Sequence, residues 1–271
     1  MLLESCFNFG REQGMNKAIF NKVNFHKTVM LTAYDYPTAV LVARAGVDMI
    51  LVGDSLANVV LGLDATTQIG MDEMMHHARA VCRGAGQVPV VADMPFEAYQ
   101  PEGADAVRHA RRLIEAGCAA VKVEWFAGIE AVIRLLRADG IEVMGHAGLT
   151  PQTAVDFKVQ GRDAASAAAI LEQARAMAAA GCFAVVLECV PEGLAREITG
   201  ALKVPTIGIG AGKFCDGQVL VLHDMLGLND RKVPRFVKKY ADASGLILNA
   251  VRQYKEEVIS GKFPAPEHTF H

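Results

Sequence analysis

Seven side chains able to do acid, base, charge or hydroxyl chemistry sit in short apolar runs, most of them towards the far end. Asp54 and Ser55 end "MILVGDS", Asp93 lies in "VPVVADMPF", and Lys122 and Glu124 interrupt "AAVKVEW". His146 lies in "IEVMGHAGL" and Glu188 in "CFAVVLECV". Runs of this kind read as buried strands. On a strand Lys122 and Glu124 point to the same face, roughly 7 Å apart. A single aspartate at a strand end is an ordinary helix cap or turn residue. Four carboxylates and a lysine gathered at one end of a sheet are different, because unpaired buried charge is costly and one ammonium cannot balance four acids. A divalent cation can. Oxygen ligands select a hard ion, and Mg²⁺ takes a few carboxylates with waters and substrate oxygens filling its octahedron. Zinc would favour histidine or cysteine.

Other polar features read less sharply. His146, placed in the loop "GHAGLTPQ", suits either a hydrogen bond to a substrate or a structural role. His223 is open between a supporting group, a structural histidine and a site member. His76 and His77 are neighbours on a helical stretch, so they do not share a face, and packing or surface roles are expected. "GIGAG" (208–212) lacks the last glycine of a dinucleotide fingerprint, since Lys213 stands there. Close approach of backbone to a ligand, or tight packing, explains it better.

The elements that must position these groups alternate in type. Eight short β-branched runs are candidate strands: 29–35, 49–55, 88–96, 119–125, 141–149, 182–190, 204–212 and 217–225. Between them lie helical stretches such as 101–117, 164–181 and 192–203, the first opening near Pro101 and the first two ending in Gly117 and Gly181. Apolar strands alternating with helices indicate a parallel sheet covered on both sides. Eight of them give the count of an α/β protein with a closed (β/α)₈ TIM barrel, and an open doubly wound sheet is the alternative. In a barrel the carboxyl ends of the strands form one mouth, where the charged residues would converge. The gap between the seventh and eighth strands is too short for an ordinary helix. A single barrel domain over 1–271 is expected, with residues 1–27 as an N-terminal extension and 231–271 as closing helices and tail.

Composition narrows the setting. The net charge of −3 argues against a bulk electrostatic grip on nucleic acid or on an anionic membrane. The six cysteines form no C-x-x-C pair, which fits reduced thiols in a cytoplasmic protein. No secretory signal and no membrane span is read from the sequence.

The motifs "LTAYDY", "LVGDSL", "ADMPF", "VKVE", "GHAGLTPQ", "KVQGR", "VLECVP", "IGIGAG", "DGQVLVLHDM" and "EHTFH" resemble, in order, those of the ketopantoate hydroxymethyltransferase (3-methyl-2-oxobutanoate hydroxymethyltransferase) family. The likeness runs from about residue 28 to the end. It implies a barrel of the phosphoenolpyruvate mutase/isocitrate lyase type. It also implies transfer of a one-carbon unit from 5,10-methylenetetrahydrofolate to 2-oxoisovalerate, giving ketopantoate on the way to pantothenate, with Mg²⁺ bound. A large homo-oligomer, a homodecamer built from pentameric rings, is implied too. Carried over by motif, Asp54 and Asp93 are metal ligands that also bind substrate, and Glu124 is the third acid of the metal site. Ser55 and Lys122 contact the keto acid, His146 is a further substrate-binding candidate, and Glu188 is the general base. The chain departs from the family pattern after Gln152, where it reads "TAVDF", and after Glu124, where Trp125 and Phe126 stand.

The residue types agree with proton abstraction beside a ketone. A 2-oxo acid chelates a metal through carboxylate and keto oxygens, and a nearby carboxylate can take the C3 proton. Lys122 also fits a Schiff-base aldolase, but flanking carboxylates should keep it charged, so an electrostatic role is preferred. Another Mg²⁺-dependent enolate enzyme of the same barrel group, a lyase or mutase, is the nearest alternative. A non-catalytic oxo-acid-binding protein is the alternative from another class.

Overall fold

In the computed structural model the described residues are 26–100, 105–154, 158–229 and 233–270. Eight parallel strands close into a barrel in chain order. They are β1 (Thr28–Thr32), β2 (Met49–Val52), β3 (Val90–Asp93), β4 (Ala120–Glu124), β5 (Val143–Gly148), β6 (Ala184–Glu188), β7 (Thr206–Ile209) and β8 (Gly217–Leu220). Closure is made by β8 against β1, with Met30 opposite Val219. Each of the eight apolar runs of the sequence contains or overlaps one strand, and the open sheet is excluded.

Helices α1 (Tyr36–Arg44), α2 (Leu56–Val59), α3 (Met71–Gly84), α4 (Ala106–Glu115), α5 (Ile129–Ala138), α6 (Ala164–Ala180) and α7 (Glu192–Ala201) fill the connections from β1 to β7. Helix α5 shows why they dock. Ile129, Val132, Ile133 and Leu136 recur at helical spacing and are all buried against the strands. Local chemistry fixes the ends of α6: the Asp163 carboxylate accepts from the Ser166 N–H at 2.9 Å, and Gly181 caps the far end in the left-handed region. The expected opening of the 101–117 helix at Pro101 lies outside the described residues.

β7 and β8 are joined without a helix, as the short gap required. After β8 come a short α8 (Leu222–Leu226) and a long α9 (Ala243–Ile259). The sequence reading allowed one or two closing helices over 231–262. One forms, and no residue of α9 is buried. Leu246, Ile247, Leu248, Val251 and Tyr254 on α9 are exposed, as is Val29 on the outer side of β1.

Strand alternation divides the barrel interior into two layers. Met30, Met49, Leu51, Val91, Ala120, Met144, Ala184, Val186, Ile207 and Val219 form one apolar cluster. Two residues further along the same faces stand Asp93 on β3, Lys122 and then Glu124 on β4, His146 on β5 and Glu188 on β6. Register sets them side by side: Asp93 faces Lys122, Glu124 faces His146, and Gly148 faces Glu188. Two expectations need correction here. His146 belongs to β5 rather than to a loop. Asp54 and Ser55 lie beyond the end of β2 at Val52, on the turn that opens α2.

Candidate active site at the barrel mouth

Asp54, Asp93, Lys122, Glu124 and His146 are each no more than 6% exposed, so their charges interact with little screening by water. The Lys122 Nζ lies 2.7 Å from Asp93 Oδ1. The other oxygen of Asp93 accepts from the Asp54 N–H at 2.9 Å, which ties the turn after β2 to the end of β3. Gly53 leaves room for the neighbouring hydroxyl, since a Cβ there would come within 2.8 Å of Ser55 Oγ. The Ser55 hydroxyl pairs with the Tyr34 hydroxyl at 2.8 Å.

His146 spans the space between two acids. Its Nδ1 is 3.3 Å from Glu124 Oε1, and its Nε2 is 3.3 Å from Glu188 Oε2. Its Nδ1 is also 3.3 Å from Lys122 Nζ. Glu188 is the more open member, with its side chain 17% exposed. The turn that follows it is unusual: Cys189 has φ 48°, a left-handed conformation that a non-glycine residue adopts only under constraint. The constraint comes from two main-chain bonds, Cys189 N–H to the Ile209 carbonyl at 2.9 Å and Gln160 N–H to the Cys189 carbonyl at 2.8 Å. Burial also pushes the Cys189 thiol up to about 12, so it is no ready nucleophile.

The electrostatics report a shortage of positive charge. Burial first, and then Asp93 and Glu124, push the Asp54 carboxyl up to about 8. Burial alone would lower Lys122, but Asp93, Glu124 and Asp54 hold its pKa above the usual lysine value. Burial and Lys122 act against protonation of His146, yet Glu124 and Glu188 raise it to about 9. Glu124 itself is lowered: burial opposes this, and His146 and Lys122 outweigh it.

A hard dication fits this donor set. Among the described residues no three acidic, histidine or cysteine side chains close into a ready-made cage. The fit rests instead on the chemistry of the donors, the buried carboxylate oxygens of Asp54, Asp93 and Glu124.

The structure thus sets the expected residues Asp93, Lys122, Glu124, His146 and Glu188 on adjacent strands, with Asp54 joined through Asp93 and through Gln152. Ser55 stands apart from that chain of contacts, on Tyr34. Two participants went unnoticed as individuals. Gln152 Nε2 donates to Asp54 Oδ2 at 2.9 Å, and the Tyr99 hydroxyl accepts from the Glu124 N–H at 3.1 Å. Gln152 appeared only as the last letter of a motif, and nothing local marks Tyr99. His223 is half-buried, with its ring 5.3 Å from that of Tyr34, and burial lowers its pKa. His77 hydrogen-bonds the Tyr34 carbonyl at 2.6 Å and His76 is exposed, so both have the packing and surface roles expected.

Comparison with known proteins agrees with this picture. The phosphoenolpyruvate phosphomutase of Streptomyces platensis has the same fold at TM-score 0.61 and 18% identity, covering 92% of this chain and 90% of that one. A 2,3-dimethylmalate lyase, described as a PEP mutase/isocitrate lyase superfamily member, superposes at TM-score 0.56 and 17% identity over 90% of this chain and 87% of its own. Phosphonopyruvate hydrolase in complex with oxalate and Mg²⁺ reaches TM-score 0.60 at 12% identity, over 89% and 88%. At sequence level the likeness is far stronger. The 3-methyl-2-oxobutanoate hydroxymethyltransferases of Moorella thermoacetica and Heliobacterium modesticaldum are 54% and 53% identical to it. The alignments cover 90% of this chain and 92% of the first relative, and 89% of both chains for the second. No helix among the described residues is long and apolar enough to cross a membrane. The family model for ketopantoate hydroxymethyltransferase matches residues 15–266, and the chain belongs to that family of transferase enzymes.

Proposed function

We propose that the barrel mouth transfers a one-carbon unit from 5,10-methylenetetrahydrofolate to 2-oxoisovalerate, giving ketopantoate for pantothenate synthesis in the cytoplasm. One observation carries the reading. The mouth holds an acid-rich cluster short of positive charge, and beside it a further carboxylate, Glu188, that is more open than the rest and lies 3.3 Å from His146.

Asp54 and Asp93, with Glu124 nearby, would hold Mg²⁺, which when bound supplies a Lewis acid that draws charge onto the keto oxygen of the substrate. The Lys122 ammonium, kept charged by its acidic neighbours, binds the anionic end of the keto acid, together with Ser55. Its charge disfavours a Schiff base, which needs a neutral amine. Glu188 takes the proton from C3. The electron pair of that C–H bond then forms the new bond to the methylene carbon as one of its two C–N bonds to the folate opens; water replaces the second folate nitrogen, which leaves the new hydroxyl on that carbon and releases tetrahydrofolate with the protons on its nitrogens. His146, between Glu188 and Glu124, orients the base. Support for the metal comes from the acid-rich mouth and from the Mg²⁺ complex of a protein with the same fold.

Exchange of the C3 hydrogen of 2-oxoisovalerate in D₂O, followed by proton NMR without any folate, tests the first step. Glu188→Gln is expected to slow exchange by about 10²–10⁴-fold while Mg²⁺ still binds. Undiminished exchange in that variant, or full activity in EDTA, overturns the reading. Folate-dependent product formation separates it from a lyase or mutase.

The same reading includes a large homo-oligomer, a homodecamer. The apolar side chains of α9 and the outer side of β1 are surfaces that a second copy would cover. Sedimentation of the purified protein is expected to give a species many times the 29.0 kDa chain mass, and a monomer would overturn it.

A further inference from the structure

Gln152 lies on the loop after β5 and is buried, yet the chemistry above does not use it. Its side chain spends every polar position. Nε2 donates to Asp54 Oδ2 at 2.9 Å and to the Met94 carbonyl at 3.1 Å, and Oε1 accepts from the Tyr99 hydroxyl at 2.5 Å. Its main-chain N–H donates to Glu124 Oε2 at 3.0 Å. The Tyr99 oxygen in turn accepts from the Glu124 N–H at 3.1 Å.

These contacts allow one amide orientation. Flipped, Oε1 would face the Met94 carbonyl, an acceptor with no proton to share. The amide therefore acts as a keyed bridge between the turn after β2, the end of β3 and the end of β4. Gln152 occupies one oxygen on each of two carboxylates, Oδ2 of Asp54 through its side-chain amide and Oε2 of Glu124 through its main-chain N–H. Oδ1 of Asp54 takes no part in these contacts, and Oε1 of Glu124 is turned to His146 Nδ1 at 3.3 Å. Carboxylates held in this way lose no orientational freedom when an ion arrives, which is how groups behind a metal ligand raise affinity.

We propose that Gln152, locked by Tyr99, is a positioning residue that selects which oxygen of Asp54 a bound cation meets. The inference rests on the Mg²⁺ site of the proposed function. Gln152→Met keeps the side-chain length and removes the amide, whereas Tyr99→Phe removes only the hydroxyl.

Calorimetric titration with Mn²⁺ alone, without keto acid, is the first measurement. Gln152→Met is expected to bind about tenfold more weakly or worse, and Tyr99→Phe to shift in the same direction by less. A purely structural role would lower the thermal midpoint and leave Mn²⁺ affinity alone. Affinity within about twofold of wild type in a folded Gln152→Met overturns the proposal, and if that variant does not fold, Tyr99→Phe decides on the same criterion. Failure of the wild-type protein to bind Mn²⁺ would instead remove the metal reading. Metal-free crystal structures then judge positioning by itself: the Asp54 carboxylate is expected to leave its wild-type place in Gln152→Met, and an unmoved carboxylate overturns the proposal.

Discussion

The same eight strands build two interiors. At one level their inward residues are Met30, Met49, Val91, Ala120, Met144, Val186 and others of a dry apolar cluster. One step further along β3, β4, β5 and β6, the inward residues are Asp93, Lys122, His146 and Glu188. Both layers are buried, but by different physics. The lower layer is held by removal of apolar area from water and by packing, and its members can be exchanged for others of similar volume. The upper layer is held only as long as each charge keeps its partners, because a buried ion without one is expensive. The lower layer is a foundation, and the upper is a set of groups whose chemistry is still unspent.

The comparison breaks most sharply at Lys122. Replacing it with methionine removes the cation from among Asp93, Glu124 and Asp54, and chemical denaturation is expected to show a loss of about 3–5 kcal/mol at neutral pH. A loss below about 1 kcal/mol would mean that the acids find another counter-charge in the fold. A cut in the lower layer should behave otherwise. Met144→Ala opens a cavity and is expected to cost about 2–3 kcal/mol, the low part of the usual range, because the other methionines of that cluster are flexible enough to move in. Its Mn²⁺ affinity should stay at the wild-type level, and a large drop would show that the two layers are not separable. The smallest effect belongs outside the barrel, at the ion pair of Arg111 with Asp139. There the arginine is well exposed, and Arg111→Ala should leave the thermal midpoint unchanged, since water replaces the partner. A clear fall would make that surface pair part of something larger.

Much of this was legible in the residues alone. Eight apolar runs announced eight strands, and strand alternation carried Lys122 and Glu124 to one face. What misled at His146 was glycine. Gly145 and Gly148 on either side look like turn residues, but at Gly145 the reason is a close neighbour: a Cβ there would meet Met177 Sδ at 2.9 Å. Glycine needed for packing and glycine needed for turning are spelled alike. The bridge through Gln152 was illegible for a different reason. It joins positions 98 residues apart in the chain, and a hydrogen bond of that kind has no local periodicity. The 231–262 stretch shows a related limit, since α9 forms there with none of its residues buried. A helical period with apolar positions says that a face wants cover, and not that the barrel of the same chain supplies it.

Gly148 sets a boundary for anyone reshaping this mouth. Its φ is +96°, and a first side-chain carbon would sit 2.4 Å from the Glu188 carbonyl and 2.8 Å from Val190 Cγ1. The edge of β6 is therefore already in contact with the bare backbone of β5, and no larger residue can be admitted there without shifting the very carboxylate whose aim matters. Room for a bulkier ligand has to be found elsewhere along the mouth, where side chains rather than main chain set the limit.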